Sequence, residues 1–159
     1  MCEIAVPRSA EQAFLQYRDM VYRLAVARLG SGAAAEDVVQ EVFLRYVRAT
    51  PVFAEAEHCK AWLLRTAINC CRSFKSSAWS RRTVPLTVDV AVRMRERSEV
   101  YYAVLQLPPE HRTVIHLFYY EGYAVREIAE LTDTREATVK TRLHRARQKL
   151  RELLDNTEL

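Results

Sequence analysis

The side chains best placed to do chemistry in this chain are cations, and the chemistry they suit is binding a polyanion. Between Arg135 and Arg151 stand seven Lys or Arg and one acid, Glu136. Val139, Leu143, Ala146, Leu150 and Leu153 recur at i, i+4, i+7, i+11 and i+14, one face of a helix of 3.6 residues per turn. At 100° per residue, Ala137, Thr141, His144 and Gln148 lie opposite that stripe, with Lys140, Arg145 and Arg151 on its flanks. Such a helix suits a solvated surface, a membrane interface or a nucleic acid. The apolar stripe is Val, Leu and Ala without Trp or Phe to anchor at headgroups, which argues against the membrane.

The preceding residues favour nucleic acid. Val125 to Leu131 is a short amphipathic segment, and Thr132-Asp-Thr134 is a compact polar break. A short helix, a tight turn and a longer basic helix make a helix-turn-helix. Ala129, ten residues before Val139, is small where two helices must cross closely, and Ile128 and Leu131 supply an apolar wedge. In such a unit the second helix enters the major groove, and its Lys and Arg neutralise phosphates.

A second cationic stretch lies upstream. Arg65 to Arg82 holds five basic residues and no acid, and Arg65, Arg72, Lys75, Arg81 and Arg82 interleave with Phe74 and Trp79. Bases of a single strand stack on aromatic faces while cations hold the backbone. Trp62, by its spacing, is expected in the core. Residues 1–62 are slightly acidic, with seven basic and eight acidic side chains, so the net charge of +4 is concentrated in two places. Two separate contacts with one polyanion follow.

Catalysis finds no support. His58, His111, His116 and His144 are scattered, with no Gly-rich phosphate loop and no Ser/Cys–His–acid grouping. Cys2, Cys59, Cys70 and Cys71 lack CxxC or zinc-ladder spacing and read as reduced thiols. No catalytic residue, metal or cofactor is expected. Neither a signal peptide nor an apolar run of ~18 residues is evident, so the chain is expected in the cytoplasm, without membrane insertion.

Only three Gly and five Pro in 159 residues favour long helices. Ala10 to Leu29 has a helical pattern closed by Gly30. Ser31 or Gly32 opens a second helix, to Arg48, with Glu36 and Asp37 in its first turn, where the dipole favours carboxylates. Val38, Val42, Leu44 or Arg45, and Val47 are its expected inward residues. A third helix starts near Glu57 and runs toward Trp79. Around Val84 to Val88, Pro85 and β-branched residues break the pattern; fourteen or so extended residues would reach ~50 Å. Beyond it, Val100, Val104 and Leu107 form a stripe, Pro108-Pro109 breaks it, and Glu110 to Glu121 is helical with Val114, Leu117, Phe118 and Tyr120 inward. The expectation is an all-α chain of two small helical domains, residues 1–80 and 97–159, joined by a flexible linker over 81–96. The C-terminal one is a helix-turn-helix, winged-helix-like four-helix domain.

From about Phe14 to Leu154 the chain resembles the extracytoplasmic-function (group four) sigma factors of bacterial RNA polymerase. AEDVVQEVFLRYVRA (Ala35 to Ala49) is similar to the family's helix that docks on the clamp coiled coil of the largest polymerase subunit. KAWLLRTAINCCRSF (Lys60 to Phe74) is similar to its promoter-melting, −10 segment. LQLPPEHRTVIHLFYYEGYAVREIAEL and ATVKTRLHRARQKLRELL resemble its −35-binding domain.

The resemblance implies a transcription initiation factor, with core polymerase, promoter DNA and an anti-sigma factor as partners. It assigns Asp37, Gln40, Glu41, Phe43 and Leu44 to core polymerase. It puts Ala49, Phe53 and Asn69 at a pocket for a flipped −10 base, with Arg72, Lys75, Arg81 and Arg82 on the nearby backbone. Flipping costs a few kcal/mol, which an aromatic wall and an amide can offset. Thr138, Lys140, Thr141, Arg142, His144 and Arg145 match the −35 reader. Asp133 stands where the family often has Gly, and Arg135 where it usually has a capping Ser; Thr134 is the expected cap instead. Ser73 replaces an acid. The alternative is a helix-turn-helix regulator that binds duplex DNA and never docks on polymerase; it leaves the acidic Glu36–Glu41 helix and the aromatic-basic stretch unexplained.

Overall fold

The computed structural model describes residues 4–74 and 99–156, and among these every regular element is a helix, with no strand. Lys75, Trp79, Arg81, Arg82, Cys2 and the expected linker lie outside the described residues.

The first unit is built from α1 (Ala10–Leu29), α2 (Gly32–Ala49) and α3 (Ala56–Phe74). Ser9 caps α1 through a bond from the Gln12 N–H, and Ser31 caps α2 through one from the Ala34 N–H. Each satisfies an amide that the first helical turn leaves unpaired. Gly30 joins the two helices in the left-handed region at φ 69°, where a side chain would be strained. Thr50 holds the same region at φ 42° and ends α2 before Pro51. Leu24, Val38, Val42, Leu63, Leu64 and Ile68 fill the centre with no exposed surface. Full burial of such a side chain stabilises by about 1.5–3 kcal/mol.

The buried face of α2 differs from the expected one. Ala35, Val38, Val39, Val42, Phe43 and Tyr46 are buried, whereas Leu44 is 49% and Val47 56% exposed. At 100° per residue Leu44 falls about 170°, and Val47 about 110°, from the centre of that stripe. Phe43 meets Phe14 edge-on at 5.1 Å, and Tyr46 meets Trp62 edge-on at 5.5 Å. Trp62 packs against the core, as its spacing implies.

The second unit contains α4 (Glu99–Leu105), α5 (Pro109–Ile115), α6 (Val125–Thr132) and α7 (Glu136–Asp155). Pro109 opens α5, a position where its missing N–H costs nothing. Of the expected stripe, Leu107 is buried just beyond α4 and Val104 packs against the core, whereas Val100 is exposed and Ala103 is buried instead. Beyond Ile115 the helix widens into a π-helical turn, His116–Tyr120. The Glu121 N–H there reaches back five residues to the His116 carbonyl, at 3.0 Å. That extra residue per turn stacks His116 on Tyr120 with ring centroids 5.1 Å apart, and it leaves Tyr120 exposed where a regular helix was expected to bury it.

The two units pack against each other: α1 lies along α5 and the π turn, and α3 meets α6. One apolar core runs from Leu24 and Ile68 to Leu117, Ile128 and Val139. Among the described residues, no helix is long and apolar enough to cross a membrane.

Candidate nucleic-acid interface

The helix-turn-helix is held from below by its own apolar wedge. Ile128, Ala129 and Leu131 of α6 are buried against Val139, Leu143 and Ala146 of α7. The Ala124 N–H donates to Glu127 Oε1 at 3.0 Å, which closes the start of α6. At its other end the Thr134 N–H bonds the Ala129 carbonyl at 3.0 Å and the Asp133 N–H bonds that of Glu130 at 3.4 Å. This paired pattern needs a left-handed residue, and Asp133 supplies it at φ 52°. Asp thus performs the role of the absent Gly.

The expected cap on α7 does not form. Arg135 occupies the cap position without a side-chain bond, and the Thr134 hydroxyl pairs with that of Thr132 at 2.8 Å. Thr132 is buried in the turn and also donates to the Ile128 carbonyl at 2.7 Å. Thr134 therefore ties the turn together, and Glu136 stands in the first turn of α7, where the helix dipole favours it.

With Val139, Leu143 and Ala146 inward, α7 presents Lys140, Thr141, His144 and Arg145 to solvent. Thr141 bonds the Ala137 carbonyl at 2.9 Å, which orients its hydroxyl along the helix. Thr138 and Arg142 sit at the half-buried edge. Arg142 turns back to the Glu110 carboxylate, Nη1 to Oε2 at 3.3 Å. The six sequence-assigned residues thus divide into four on an open face and two at its margin.

The other basic surface belongs to α3. Asn69 is exposed two turns along the same face as Trp62, whose ring lies 6.3 Å from that of Phe53. Phe53 is half-buried and also meets Tyr46 at 6.4 Å, while Ala49 is exposed at the end of α2. Arg65 and Arg72 emerge about 60–80° around the helix and face α6. Arg72 Nη2 donates to the Thr132 carbonyl at 2.8 Å, and Arg65 Nη2 to that of Glu130 at 3.5 Å.

Asp37, Gln40, Glu41 and Leu44 share the outward side of α2, whereas Phe43 faces the core. Burial, and then the charge of Glu36, raise the Asp37 carboxyl above its usual range. Glu41 pairs with Arg45 at 3.0 Å.

A cluster at the junction of the units was not anticipated. Arg28, 1% exposed, donates to Glu110 Oε1 at 2.6 Å and to Thr113 Oγ1 at 2.9 Å. Arg112 bonds the Arg28 carbonyl at 2.5 Å and that of Leu105 at 3.0 Å. Arg72 approaches the same Glu110 carboxylate at 3.8 Å. The hydrogen bond from Arg28, with the charges of Arg28, Arg72 and Arg142, holds Glu110 down to about 2 against the opposing effect of burial. Nearby, Glu121 is enclosed by Lys60 at 3.8 Å and His116 at 3.5 Å. One signal was present in the sequence: Arg28 stands seven residues after Val21, on the apolar stripe of α1, so it had to be buried with a partner.

Cys59, Cys70 and Cys71 are buried free thiols, and burial pushes Cys71 up to about 12. Among the described residues no three His, Cys, Asp or Glu side chains are grouped to hold a metal.

The chain matches the family model of sigma-70 region 2 over residues 13–81 and that of sigma-70 region 4 over residues 97–150. It is 32% identical to the ECF RNA polymerase sigma factor SigL of Mycobacterium tuberculosis, over 95% of this chain and 94% of that one. SigW of Bacillus subtilis, also an ECF RNA polymerase sigma factor, is 30% identical over 87% of this chain and 84% of its own. Among solved structures, CnrH in complex with the cytosolic domain of CnrY is 25% identical with a TM-score of 0.67, covering 94% of this chain and 89% of that chain. The sigma factor RpoE of Bartonella quintana, in complex with the anti-sigma factor NepR, shares the fold at 21% identity and a TM-score of 0.66, over 91% of this chain and 96% of that chain.

Proposed function

We infer the working of this chain from one premise: it belongs to the ECF sigma factors of RNA polymerase. It is a transcription initiation factor that directs polymerase core to promoters, a task of binding and of trapping melted DNA. The place of that work is the cytoplasm, with polymerase.

In this reading residues 1–80 bind core polymerase and the −10 element, residues 81–96 link, and residues 97–159 bind the −35 element. The observation that carries it is the open outer face of α7, where Lys140, Thr141, His144 and Arg145 follow a helix-turn-helix turn. The first turns of such a helix meet base edges, so Thr141 and His144 contact bases while Lys140 and Arg145 neutralise phosphates. Thr138 and Arg142 border that face. On the first unit, Asn69 and the Phe53–Trp62 aromatic wall, with Ala49, receive a flipped −10 base, and Arg72, Lys75, Arg81 and Arg82 hold the strand. Asp37, Gln40, Glu41 and Leu44 form the polymerase-facing side of α2, with Phe43 supporting it from beneath. The relatives solved with NepR and with CnrY support an anti-sigma partner for this chain as well.

The test is the salt dependence of promoter binding by the holoenzyme. Each phosphate contact contributes about 0.9 to the slope of log K against log salt. Lys140→Ala or Arg145→Ala should weaken binding and lower that slope by about 1. Unchanged affinity and slope in both variants would remove this face from the −35 role.

A further inference from the structure

We propose that the cavity between α1, the first turn of α3 and Glu121 is a binding site for a small zwitterion, a free α-amino acid with an apolar side chain. The proposal goes beyond the promoter role and does not rest on it, because none of the residues it uses carries an assigned contact with polymerase or DNA.

The cavity measures about 490 Å³, the size of a pocket for a small organic molecule and many times the ~30 Å³ share of one water. Its apolar lining is Tyr17 and Met20 of the core, with Ile4 from the segment before α1. Its polar lining carries both signs, Arg23 and Lys60 against Glu55, Glu57 and Glu121. A pocket apolar in one part and bipolar in another suits a ligand with an apolar body and both charges.

Glu121 is the centre of the site. Its side chain is 7% exposed, yet Lys60 Nζ stands 3.8 Å from Oε2 and His116 Nε2 3.5 Å from Oε1. These are ion-pair distances too long for good hydrogen bonds, and Oε1 is buried with no hydrogen-bond partner among the described residues. Arg23 Nε is left in the same condition. Buried polar groups are normally paired, so an acceptor and a donor unpaired at one cavity call for a ligand that brings both kinds of group.

The charge balance selects a zwitterion over a simple ion. An anion alone would draw Lys60 away from Glu121 and leave a buried carboxylate uncompensated, and an amine alone would crowd Lys60 with a second cation. A ligand ammonium on Glu121, with the ligand carboxylate on Lys60 and Arg23, keeps every charge paired. In an α-amino acid the two groups share one carbon, so their partners must lie close together, as Glu121 and Lys60 do at 3.8 Å. The first turn of α3 opens on the cavity through Ala56, and its amides lack intrahelical partners, which favours the carboxylate on that side. The side chain of the ligand then covers Tyr17 and Met20.

The test is calorimetry and thermal melting of the full chain with L-leucine and L-methionine as probes. Beside them stand isocaproate, which lacks the ammonium, and isoamylamine, which lacks the carboxylate. Either amino acid should bind saturably, and at about ten times its Kd should raise Tm by about 3–6 °C. Each truncated probe should bind about tenfold more weakly or worse. Glu121→Gln and Arg23→Gln should each weaken L-leucine by a similar factor, with circular dichroism verifying helicity. Arg23→Gln, at a half-buried side chain, decides the matter if the buried Glu121→Gln fails to fold. No saturable binding of either amino acid overturns the site. Isoamylamine or isocaproate binding as tightly as L-leucine overturns the zwitterion, and unchanged affinity in the folded variants overturns the assignment to this cavity.

Discussion

Acid should weaken this protein at a definable place. The Glu110 carboxyl is held at about 2 against an ordinary value of 4.5, so its stabilising contribution is fully present above about pH 4.5 and disappears as the pH falls through about 2. The difference of ~2.5 units is worth ~3.4 kcal/mol at 1.36 kcal/mol per unit. Glu110 is one-third exposed, and solvent screening brings this to roughly 1.7 kcal/mol. Glu110→Gln removes the charge and keeps an amide oxygen to accept from Arg28, so the buried guanidinium retains a neutral partner. Urea unfolding followed by circular dichroism at a series of pH values should show the variant less stable by about 1.7 kcal/mol near neutrality. The two curves should converge as the pH falls from about 4.5 to about 2, because wild-type Glu110 then becomes neutral too. Other carboxylates titrate in both proteins and cancel in the difference. A stability difference that stays constant across that window would refute the claim that Glu110 is anchored by its charge.

Two further outcomes follow from the helix ends. Ser31→Ala removes the bond to the Ala34 N–H at a buried cap, and should cost about 1 kcal/mol and lower Tm by ~2–4 °C in a thermal melt. Asp133→Gly relieves a left-handed residue that costs ~1 kcal/mol, partly offset by the greater freedom of Gly in the unfolded chain; the net gain should be about 0.5 kcal/mol by urea unfolding.

Much of the helical architecture was legible because it is written in short-range rules. The φ of 69° at Gly30, the Ser31 cap and the Thr132–Thr134 break each depend on residues within one turn of chain. The stripe on α7 needs only a 3.6-residue period, and Val139, Leu143 and Ala146 are buried as that period requires. Where several phases were admissible, local reading failed. On α2 both Val38–Val42 and Leu44–Val47 are apolar, and only the packing of α1 and α3 selects Phe43 and Tyr46 for the core over Leu44 and Val47. The π turn at His116–Tyr120 likewise escapes a period-based reading, since one added residue shifts the phase of everything after it.

The candidate site divides along the same line. Sequence alone determined that two stretches are rich in cations, that one follows a helix-turn-helix, and which side of α7 is polar, because periodicity and charge are properties of neighbouring residues. Arg28, a charge on the apolar stripe of α1, went unread there, although its position seven residues after Val21 was a signal. Only the tertiary structure decided what that charge meets. Glu110 is 82 residues away along the chain, and an ion pair at that separation has no local pattern. The same holds for Arg72 and Arg142, which read as free cations in sequence and converge on one carboxylate in the fold. Burial raised the cost of leaving Arg28 unpaired, and the packing of α1 against α5 brought Glu110 to answer it.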